Sequence, residues 1–293
     1  SIADCIRKLK ISRSVIDKLI LDNVLLYKPK KINKSINKNI KFISKTLSSH
    51  QLKSYKIIKN FIKVDKNNVF LIDGVTGSGK TEVYFEVINK YINNRMQSLI
   101  LLPEISLSSQ FLDRFSKRFG EKAYLWHSGL SMKQRHLTWQ SVIKGEAKVV
   151  VGARSALFLP FINLGLIIVD EEHDISYKQE DGVCYNARDM AVARGAMASL
   201  NVILVSATPS LETLYNVNIK KYKKIEMHER YGLAVMPTIK LIDMRKEKLS
   251  SNQWLSDEAI ESIKNALKNK EQSLLFINRR GFSPLTLCHN CGY

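Results

Sequence analysis

The sequence predicts an α/β protein built on a doubly wound parallel sheet. Short runs rich in β-branched residues and leucine recur along the chain with little polar alternation, as in strands that are buried on both faces. Stretches with apolar residues at helical spacing lie between these runs. A glycine-rich turn joins the first run to the helical stretch that follows it. This alternation favours a sheet whose ligands bind beyond the carboxyl ends of the strands.

Six runs are predicted to be strands. They are Val69–Ile72, Ser98–Leu102, Ala123–Trp126, Lys148–Val151, Leu166–Val169 and Val202–Ser206. Helices are predicted over residues 81–93, where Tyr84, Val87 and Ile88 share one face, and around Leu107, Phe111 and Phe115. The six strands and their helices place one α/β lobe in residues 46–236.

The remaining segments differ in composition from this lobe. Residues 1–30 suggest two short helices, one capped by Ser12, and an extended exit, as at the end of a winged helix-turn-helix domain. Any small helical hairpin would give the same pattern. Residues 31–45 are rich in Lys and Asn and are interpreted as a linker.

A second unit is predicted to start at residue 237. Residues 237–287 contain the predicted strand TIKLIDM at residues 238–244, a helix capped by Ser256 and a predicted strand at residues 273–278. Together they give a β-α-β beginning without its continuation. Residues 288–293 carry a C-x-x-C pair, which by itself is a weak metal signal.

Composition limits the classes of function. No run of eighteen apolar residues exists, and residues 1–10 contain no apolar signal core, so a cytoplasmic protein is expected. Four cysteines are too few for a disulfide framework, which fits a reducing compartment. The formal net charge of +19 suits a polyanion such as nucleic acid. Codon usage in an AT-rich genome would enrich Lys, Ile and Asn equally well, so charge supports a nucleic-acid partner only weakly.

Residues 74–81, GVTGSGKT, fit G-x-x-x-x-G-K-[ST] at every fixed position, between a predicted strand and a predicted helix. Glycines permit positive φ and let successive N–H groups converge on one anion, and the helix N-terminus adds positive potential. A glycine-rich turn with a chance lysine is the alternative. The candidate nucleotide-binding residues are Gly74, Thr76, Gly77, Ser78, Gly79, Lys80 and Thr81.

An acidic pair is predicted at the carboxyl end of a neighbouring strand. Asp170 and Glu171 follow the buried run Leu166–Val169 in LGLIIVDEEHD. Asp170 would hold Mg²⁺ together with Thr81, and Glu171 would orient and deprotonate an attacking water. A solvated acidic loop is the alternative for this pair alone. With the glycine turn in the same sheet, the two motifs indicate an ATPase with Lys80, Asp170 and Glu171 as catalytic residues.

Several segments then resemble a known family. DEEH and VSATPS resemble motifs II and III of superfamily 2 helicases, whose fold is RecA-like. GVTGSGKTEVY, LLPEISL, VVGARSALFLPF, DEEHDISYKQEDGVCYNARDMAVAR and LLFINRRGFSPLTLCHNCGY occur in the order and at the spacings of the PriA family of replication-restart DNA helicases. The resemblance covers nearly the whole chain and is most specific from residue 68 to 215.

The resemblance implies a role for several further residues. His173 completes motif II, Gln51 matches the position that reads adenine, and Ser206 and Thr208 link the nucleotide site to the nucleic-acid site. Pro103, Glu104, Gly152, Arg154 and Ser155 match segments that grip single-stranded DNA. The stretch from Tyr177 to Arg188, with Lys178 and Tyr185, matches an aromatic-rich loop that couples DNA binding to hydrolysis. Cations interleaved with aromatic rings suit such a groove, although aromatic side chains often pack in the core instead.

The resemblance also implies cofactors and partners. ATP and Mg²⁺ are expected, and Cys288 and Cys291 match the first ligand pair of a zinc-binding insertion. The implied partners are single-stranded and forked DNA, primosome proteins, single-strand-binding protein and the replicative helicase loader. Cys184 stands where the family usually has arginine. Motifs V and VI are absent from the sequence, so a fragment is expected that binds nucleotide weakly and unwinds nothing by itself.

Two functions from different classes follow. The first is an ATP-dependent 3′-to-5′ DNA helicase that recognises stalled forks and initiates primosome assembly. The second is a non-enzymatic DNA-binding primosome scaffold, which the drifted composition and the missing motifs favour. The intact phosphate loop and DEEH favour the helicase. A small-molecule P-loop kinase does not explain VSATPS or the aromatic-rich stretch.

Overall fold

The computed structural model describes residues 12–22, 24, 42–62, 67–103, 106, 108–232, 237–244 and 254–276. The chain divides into two compact units, residues 1–235 and residues 236–293. No helix in the described ranges is long and apolar enough to cross a bilayer.

The first unit is built on a seven-stranded parallel sheet with the order β3-β4-β2-β5-β8-β1-β9. Its strands are β1 (Val69–Gly74), β2 (Gln97–Leu101), β3 (Tyr124–Trp126), β4 (Val149–Gly152), β5 (Leu164–Asp170), β8 (Asn201–Ser206) and β9 (Lys223–Met227). Two further strands, β6 (Lys178–Gln179) and β7 (Tyr185–Asn186), form a short antiparallel hairpin. The doubly wound α/β class predicted from the sequence is confirmed.

Helices cover both faces of this sheet. The helices of the first unit are α1 (Arg13–Leu21), α2 (Ser49–Phe61), α3 (Lys80–Asn93), α4 (Ser109–Phe119), α5 (Met132–Ile143), α6 (Ala187–Met197) and α7 (Leu211–Asn218). One core layer packs the sheet against α2, α3 and α4, and a second layer lies on the opposite face against α6. Because both faces are covered, the central strands are apolar throughout.

The six predicted strands all exist, with ends displaced by at most two residues. Strand β9 was not predicted, because its sequence KKIEM alternates charged and apolar residues at the sheet edge, where only Ile225 and Met227 are buried. Ser12 occupies the N-cap position of α1 without capping it through its side chain. Most of the predicted winged-helix segment and linker lies outside the described residues.

The second unit contains helix α8 (Asp257–Lys268). Ser256 caps it, since the Ser256 Oγ accepts a hydrogen bond from the Ala259 N–H at 3.2 Å. The strand predicted for TIKLIDM is wrong, since residues 238–244 are irregular and Leu241 is 91% exposed. The strand predicted for residues 273–278 is also wrong over residues 273–276, which are irregular and leave Leu274 92% exposed and Phe276 82% exposed. An isolated apolar run becomes a strand only when a neighbouring strand accepts its hydrogen bonds. Residues 277 and 278 lie outside the described ranges.

Candidate active site

The glycine turn connects β1 to α3 in the conformation that its sequence requires. Gly77 and Gly79 adopt φ of 83° and 84°, a region that other residues avoid. A Cβ at Gly79 would collide with the amide of Gln51. The Val75 N–H donates to the Met227 carbonyl at 3.1 Å, which joins the turn to the end of β9. The turn therefore begins on the sheet and ends at the N-terminus of a helix, where anions bind.

Lys80 lies over the turn and faces the acidic strand end. Its Nζ donates to the carbonyl oxygens of Gly74 at 2.7 Å and Val75 at 3.4 Å. Burial lowers the Lys80 pKa, against the opposing pull of the Glu171 and Asp170 carboxylates. Lys80, Thr81, Asp170 and Glu171 all line one pocket of about 460 Å³. The two motifs, separated by 90 residues of sequence, thus meet at the carboxyl edge of the sheet.

Asp170 ends β5 as a buried carboxylate. Its Oδ2 accepts a hydrogen bond from the Tyr84 hydroxyl at 2.8 Å, and its Oδ1 accepts one from the Glu171 N–H at 3.0 Å. Burial raises the Asp170 pKa to about 6, and the Tyr84 hydrogen bond opposes this rise. The sequence placed Tyr84 only on an apolar helix face. Its spacing of three and four residues from Thr81 and Lys80 was the signal that it shares their side of α3.

Glu171 differs from Asp170 in conformation and exposure. Its φ of 50° is unusual for a residue with a Cβ and stores strain at this position. Its side chain is 41% exposed, and its Oε2 lies 3.7 Å from the His173 Nδ1. Left-handed backbone turns this carboxylate away from the strand and leaves it at the rim of the pocket.

His173 connects this rim to the end of β8. Its Nδ1 lies 2.7 Å from the Ser206 Oγ, which also accepts a hydrogen bond from the Thr208 N–H at 3.0 Å. Strand β8 pairs with β1 on one side, where Ser206 is in register with Asp73, and with β5 on the other side. A continuous polar path therefore leads from Glu171 to the loop after β8.

Glu172, the next residue, is turned into the protein interior. Its Oε1 accepts from the Ser210 N–H at 2.8 Å, and its Oε2 accepts from the Thr213 hydroxyl at 3.0 Å. Arg188 Nη1 lies 3.4 Å from the same Oε2, and its side chain is 8% exposed. The sequence had placed Arg188 on a DNA-facing loop. In the structure, the Arg188 guanidinium instead belongs to a buried polar network with Glu172, which joins the end of β5 to α6 and α7.

Tyr177 also has a different place from the predicted one. It is 1% exposed, and its hydroxyl lies within hydrogen-bonding distance of the Asp170 carbonyl at 2.6 Å and the Leu101 carbonyl at 3.0 Å. The aromatic ring belongs to the core beneath the carboxyl ends of β2 and β5. Tyr177 therefore supports the backbone of Asp170 and has no surface to offer a base.

Arg154 lines a second groove, of about 580 Å³, together with His127, Ser155, Phe158 and Gln179. Arg154 Nη1 donates to the Lys178 carbonyl at 2.8 Å, which anchors the β6–β7 hairpin. Tyr185 packs edge-on against Phe158 with ring centroids 5.3 Å apart, and Phe158 is 56% exposed. Lys178 is exposed and pairs with Glu180 at 2.8 Å. This groove combines cations and aromatic rings.

Gly152 ends β4, and Pro103 follows the end of its neighbour β2. The Leu102 N–H donates to the Gly152 carbonyl at 3.0 Å, and a Cβ at Gly152 would press on the Trp126 backbone. Glu104, Cys288 and Cys291 lie outside the described residues. Within the part of the chain that the structure describes, no group of three or more His, Cys, Asp or Glu side chains is arranged to hold a metal ion.

Gln51 is built into the support of the glycine turn. Its Nε2 donates to the Ser78 carbonyl at 3.1 Å, and its Oε1 accepts from the Ser48 N–H at 3.0 Å in the capping box of α2. It is 3% exposed, although it reaches the wall of the 460 Å³ pocket. Its predicted role in reading adenine stays a prediction.

Comparisons with known proteins agree with this architecture. A family model described as DEAD/DEAH box helicase matches residues 48–217. Replication restart protein PriA of Rickettsia felis is 48% identical over 95% of this chain and 42% of its own length, and that of Bacillus subtilis is 41% identical over 84% and 31%. The chain thus spans less than half the length of these relatives. The crystal structure of DUF1998 helicase MrfA matches with a TM-score of 0.51 at 19% identity, over 80% of this chain and 36% of that one, which supports the fold alone.

Proposed function

We propose, from the premise that this chain belongs to the DEAD/DEAH box helicase family, that it carries the ATP-hydrolysing lobe of a 3′-to-5′ DNA helicase of replication restart. One observation carries the proposal: Lys80, Thr81, Asp170 and Glu171 line a single pocket at the carboxyl edge of a parallel sheet. The restart role and the direction of movement rest on similarity to replication restart protein PriA. We assign residues 46–236 to this RecA-like lobe and residues 237–287 to the start of a second.

The glycine turn would bind the phosphates of ATP. N–H groups of such a turn bind anions at a helix N-terminus, and Lys80 would exchange its carbonyl partners for the β- and γ-phosphates. Thr81 and Asp170 fit Mg²⁺, since hydroxyl and carboxylate oxygens are its preferred protein ligands and the Asp170 carboxylate is buried at the pocket wall. Bound Mg²⁺ would neutralise phosphate charge.

Glu171 would accept the proton of the attacking water. Its carboxylate lies at the pocket rim and makes no close ion pair in the described residues, since the His173 Nδ1 is 3.7 Å from its Oε2. His173, Ser206 and Thr208 would carry the change at the γ-phosphate to the loop after β8. Movement of that loop is the step that couples hydrolysis to the nucleic acid.

The groove lined by Arg154, Ser155 and Phe158, with Tyr185 packed behind Phe158, would hold single-stranded DNA. Cations attract the phosphate backbone, and exposed rings such as Phe158 stack on bases of any sequence. Pro103 and Gly152 shape the strand ends at its edge. Tyr177 and Arg188 support this region from inside, because both are buried and hydrogen-bonded.

Zinc and the protein partners depend on parts of the protein beyond the described lobe. Cys288 and Cys291 would supply the first ligand pair of a four-ligand zinc site. Forked DNA, primosome proteins, single-strand-binding protein and the replicative helicase loader are the proposed partners, by analogy with replication restart protein PriA.

ATP hydrolysis by the full-length protein, with and without single-stranded DNA, tests this function. Wild type is expected to hydrolyse ATP faster with DNA, and Lys80→Ala to lose at least about 100-fold of that rate because transition-state charge is left unbalanced. A wild type that binds DNA but shows no turnover would favour a non-enzymatic primosome scaffold. Equal activity in both proteins would place the ATPase site elsewhere.

A further inference from the structure

We propose that Tyr231 is the stacking platform for the base of the bound nucleotide. This inference rests on the proposed ATP site and adds to it the residue that holds the base. Tyr231 lies on the segment that follows β9, close to the end of the first unit at residue 235. None of the motifs read from the sequence includes it.

The backbone of Tyr231 is fixed against the glycine turn. Its N–H donates to the Gly77 carbonyl at 2.9 Å, at the apex of the turn. Four residues earlier, the Met227 carbonyl accepts from the Val75 N–H at 3.1 Å. The His50 Nε2 lies 2.7 Å from the Glu229 Oε1, which ties the same segment to α2. The segment is therefore held along one side of the phosphate-binding turn.

The side chain of Tyr231 is nevertheless left uncovered. It is 62% exposed and lines the 460 Å³ pocket together with the glycine turn. A large aromatic ring on a fixed backbone has few rotamers to lose, so it offers contact area at low entropic cost. The ring is thus suited to bind a flat partner that enters the pocket.

The pocket leaves one end for the base. Gly77, Gly79, Lys80 and Thr81 form the phosphate end, and Asp170 and Glu171 form the wall beside it. The remaining lining comes from Lys45, Thr46, Leu47, Gln51 and Tyr231, together with Glu82 and Arg114. A nucleotide with its phosphates on the turn has its base among the residues of the α2 side, where Tyr231 is the aromatic residue of that lining.

Recognition by the face of the base also fits the state of Gln51. Both functional groups of its amide already bind the protein, at Ser78 and Ser48. Each group keeps spare capacity, one N–H and one acceptor lone pair, so Gln51 can still reach the edge of a base. Stacking on Tyr231 is compatible with that contact, because it uses the face, which every base offers.

Binding of two probes to the full-length protein tests the proposal. Mg²⁺-ATP contains a base, whereas Mg²⁺-tripolyphosphate contains only the phosphates. Tyr231→Ala keeps the N–H that binds Gly77 and removes the ring, so it is expected to weaken ATP binding by about tenfold while tripolyphosphate binding stays unchanged. Tyr231→Phe keeps the ring and is expected to bind both probes as wild type does.

A fluorescent base gives a second readout. 2-Aminopurine riboside triphosphate is expected to be quenched on wild type and on Tyr231→Phe, and to be less quenched on Tyr231→Ala. Equal ATP affinity in Tyr231→Ala and wild type would overturn the proposal. A parallel loss of tripolyphosphate in Tyr231→Ala would also overturn it, because the ring would then support the glycine turn. Failure of the ATP site itself has a different signature: Lys80→Ala would leave the binding of both probes unchanged.

Discussion

Asp170 and Glu171 contrast with Glu172, the carboxylate that follows them in the chain. Asp170 and Glu171 face a pocket, and burial raises the pKa of Asp170 to about 6. Glu172 faces the interior, where Arg188, Ser210 and Thr213 surround it. The change in direction occurs at Glu171, whose positive φ rotates the chain after β5.

The contrast shows how one short acidic run serves two purposes. A fully paired carboxylate such as Glu172 is tolerated in the interior because its charge is matched there, and loss of its cation would leave that charge uncompensated. A carboxylate with unused acceptor capacity can take a metal ion or a proton. Partner count, and not position in the motif, therefore separates the supporting acid from the reactive ones.

Removing Arg188 is expected to have the largest effect on stability. Arg188→Ala leaves Glu172 buried without its cation, and breaking such a pair costs about 3–5 kcal/mol. Urea unfolding measures the loss. Asp189→Ala is the matched control, because it removes a partner of the same guanidinium that is 63% exposed, and it is expected to cost less than about 1 kcal/mol. Equal losses in the two variants would contradict the buried role of Glu172.

Asp170→Asn is expected to stabilise the protein at pH 8. The folded state holds the Asp170 proton more tightly than the unfolded state, since the pKa rises from 3.8 to about 6. Ionising the carboxyl therefore costs stability as pH rises through that range, and the cost is complete above about pH 6. Two pKa units correspond to about 3 kcal/mol, which is an upper bound.

Unfolding of wild type and Asp170→Asn at two pH values checks this prediction. The difference is expected to be largest at pH 8, to shrink as pH falls through 6, and to vanish near pH 2, below the unfolded pKa of 3.8, where wild type is protonated in both states. Mg²⁺-ATP binding is expected to weaken in the variant, because the amide is a poorer ligand than the carboxylate. A variant that is less stable than wild type at both pH values would contradict the burial argument.

Substitutions of Tyr185 and Tyr177 are expected to have smaller effects, one on DNA binding and the other on stability. Tyr185→Ala removes the half-buried ring that packs against Phe158 of the groove and is expected to weaken single-stranded DNA binding by about 1–3 kcal/mol. Tyr177→Phe keeps the buried ring, loses the one hydroxyl proton that the Asp170 and Leu101 carbonyls share, and is expected to cost about 1 kcal/mol of stability with no change in DNA affinity. Fluorescence anisotropy with a labelled oligonucleotide measures the first effect. The reverse pattern would exchange the two assignments.

The central sheet was predictable because its strands are buried on both faces and leave a continuous apolar run. Strand β9 was not predictable, since three of its five residues, Lys223, Lys224 and Glu226, are charged and give no apolar run. The run that contains Leu274 and Phe276 was predicted as a strand and is irregular. Its apolar composition favours a strand, but the run has no adjacent strand to pair with in the described residues.

The site was predictable where a motif fixes its own geometry. The glycine turn and Asp170 meet because parallel strands end at one edge of a sheet. The burial of Tyr177 and Arg188 was not predictable, since Tyr and Arg occur both at surfaces and in paired interior positions. Tyr84 was seen only as an apolar position, because no sequence pattern records where a hydroxyl finds its acceptor.

Single-turnover hydrolysis of ATP by Glu171→Gln, beside Glu172→Gln, tests the central claim most directly. Both changes remove one negative charge and keep the side-chain shape. Glu171→Gln is expected to bind ATP as wild type does and to hydrolyse it about 10²–10⁴-fold more slowly, because the water loses its proton acceptor. Folded Glu172→Gln is expected to hydrolyse ATP at the wild-type rate. Wild-type hydrolysis in Glu171→Gln, or the larger loss in Glu172→Gln, would contradict the account.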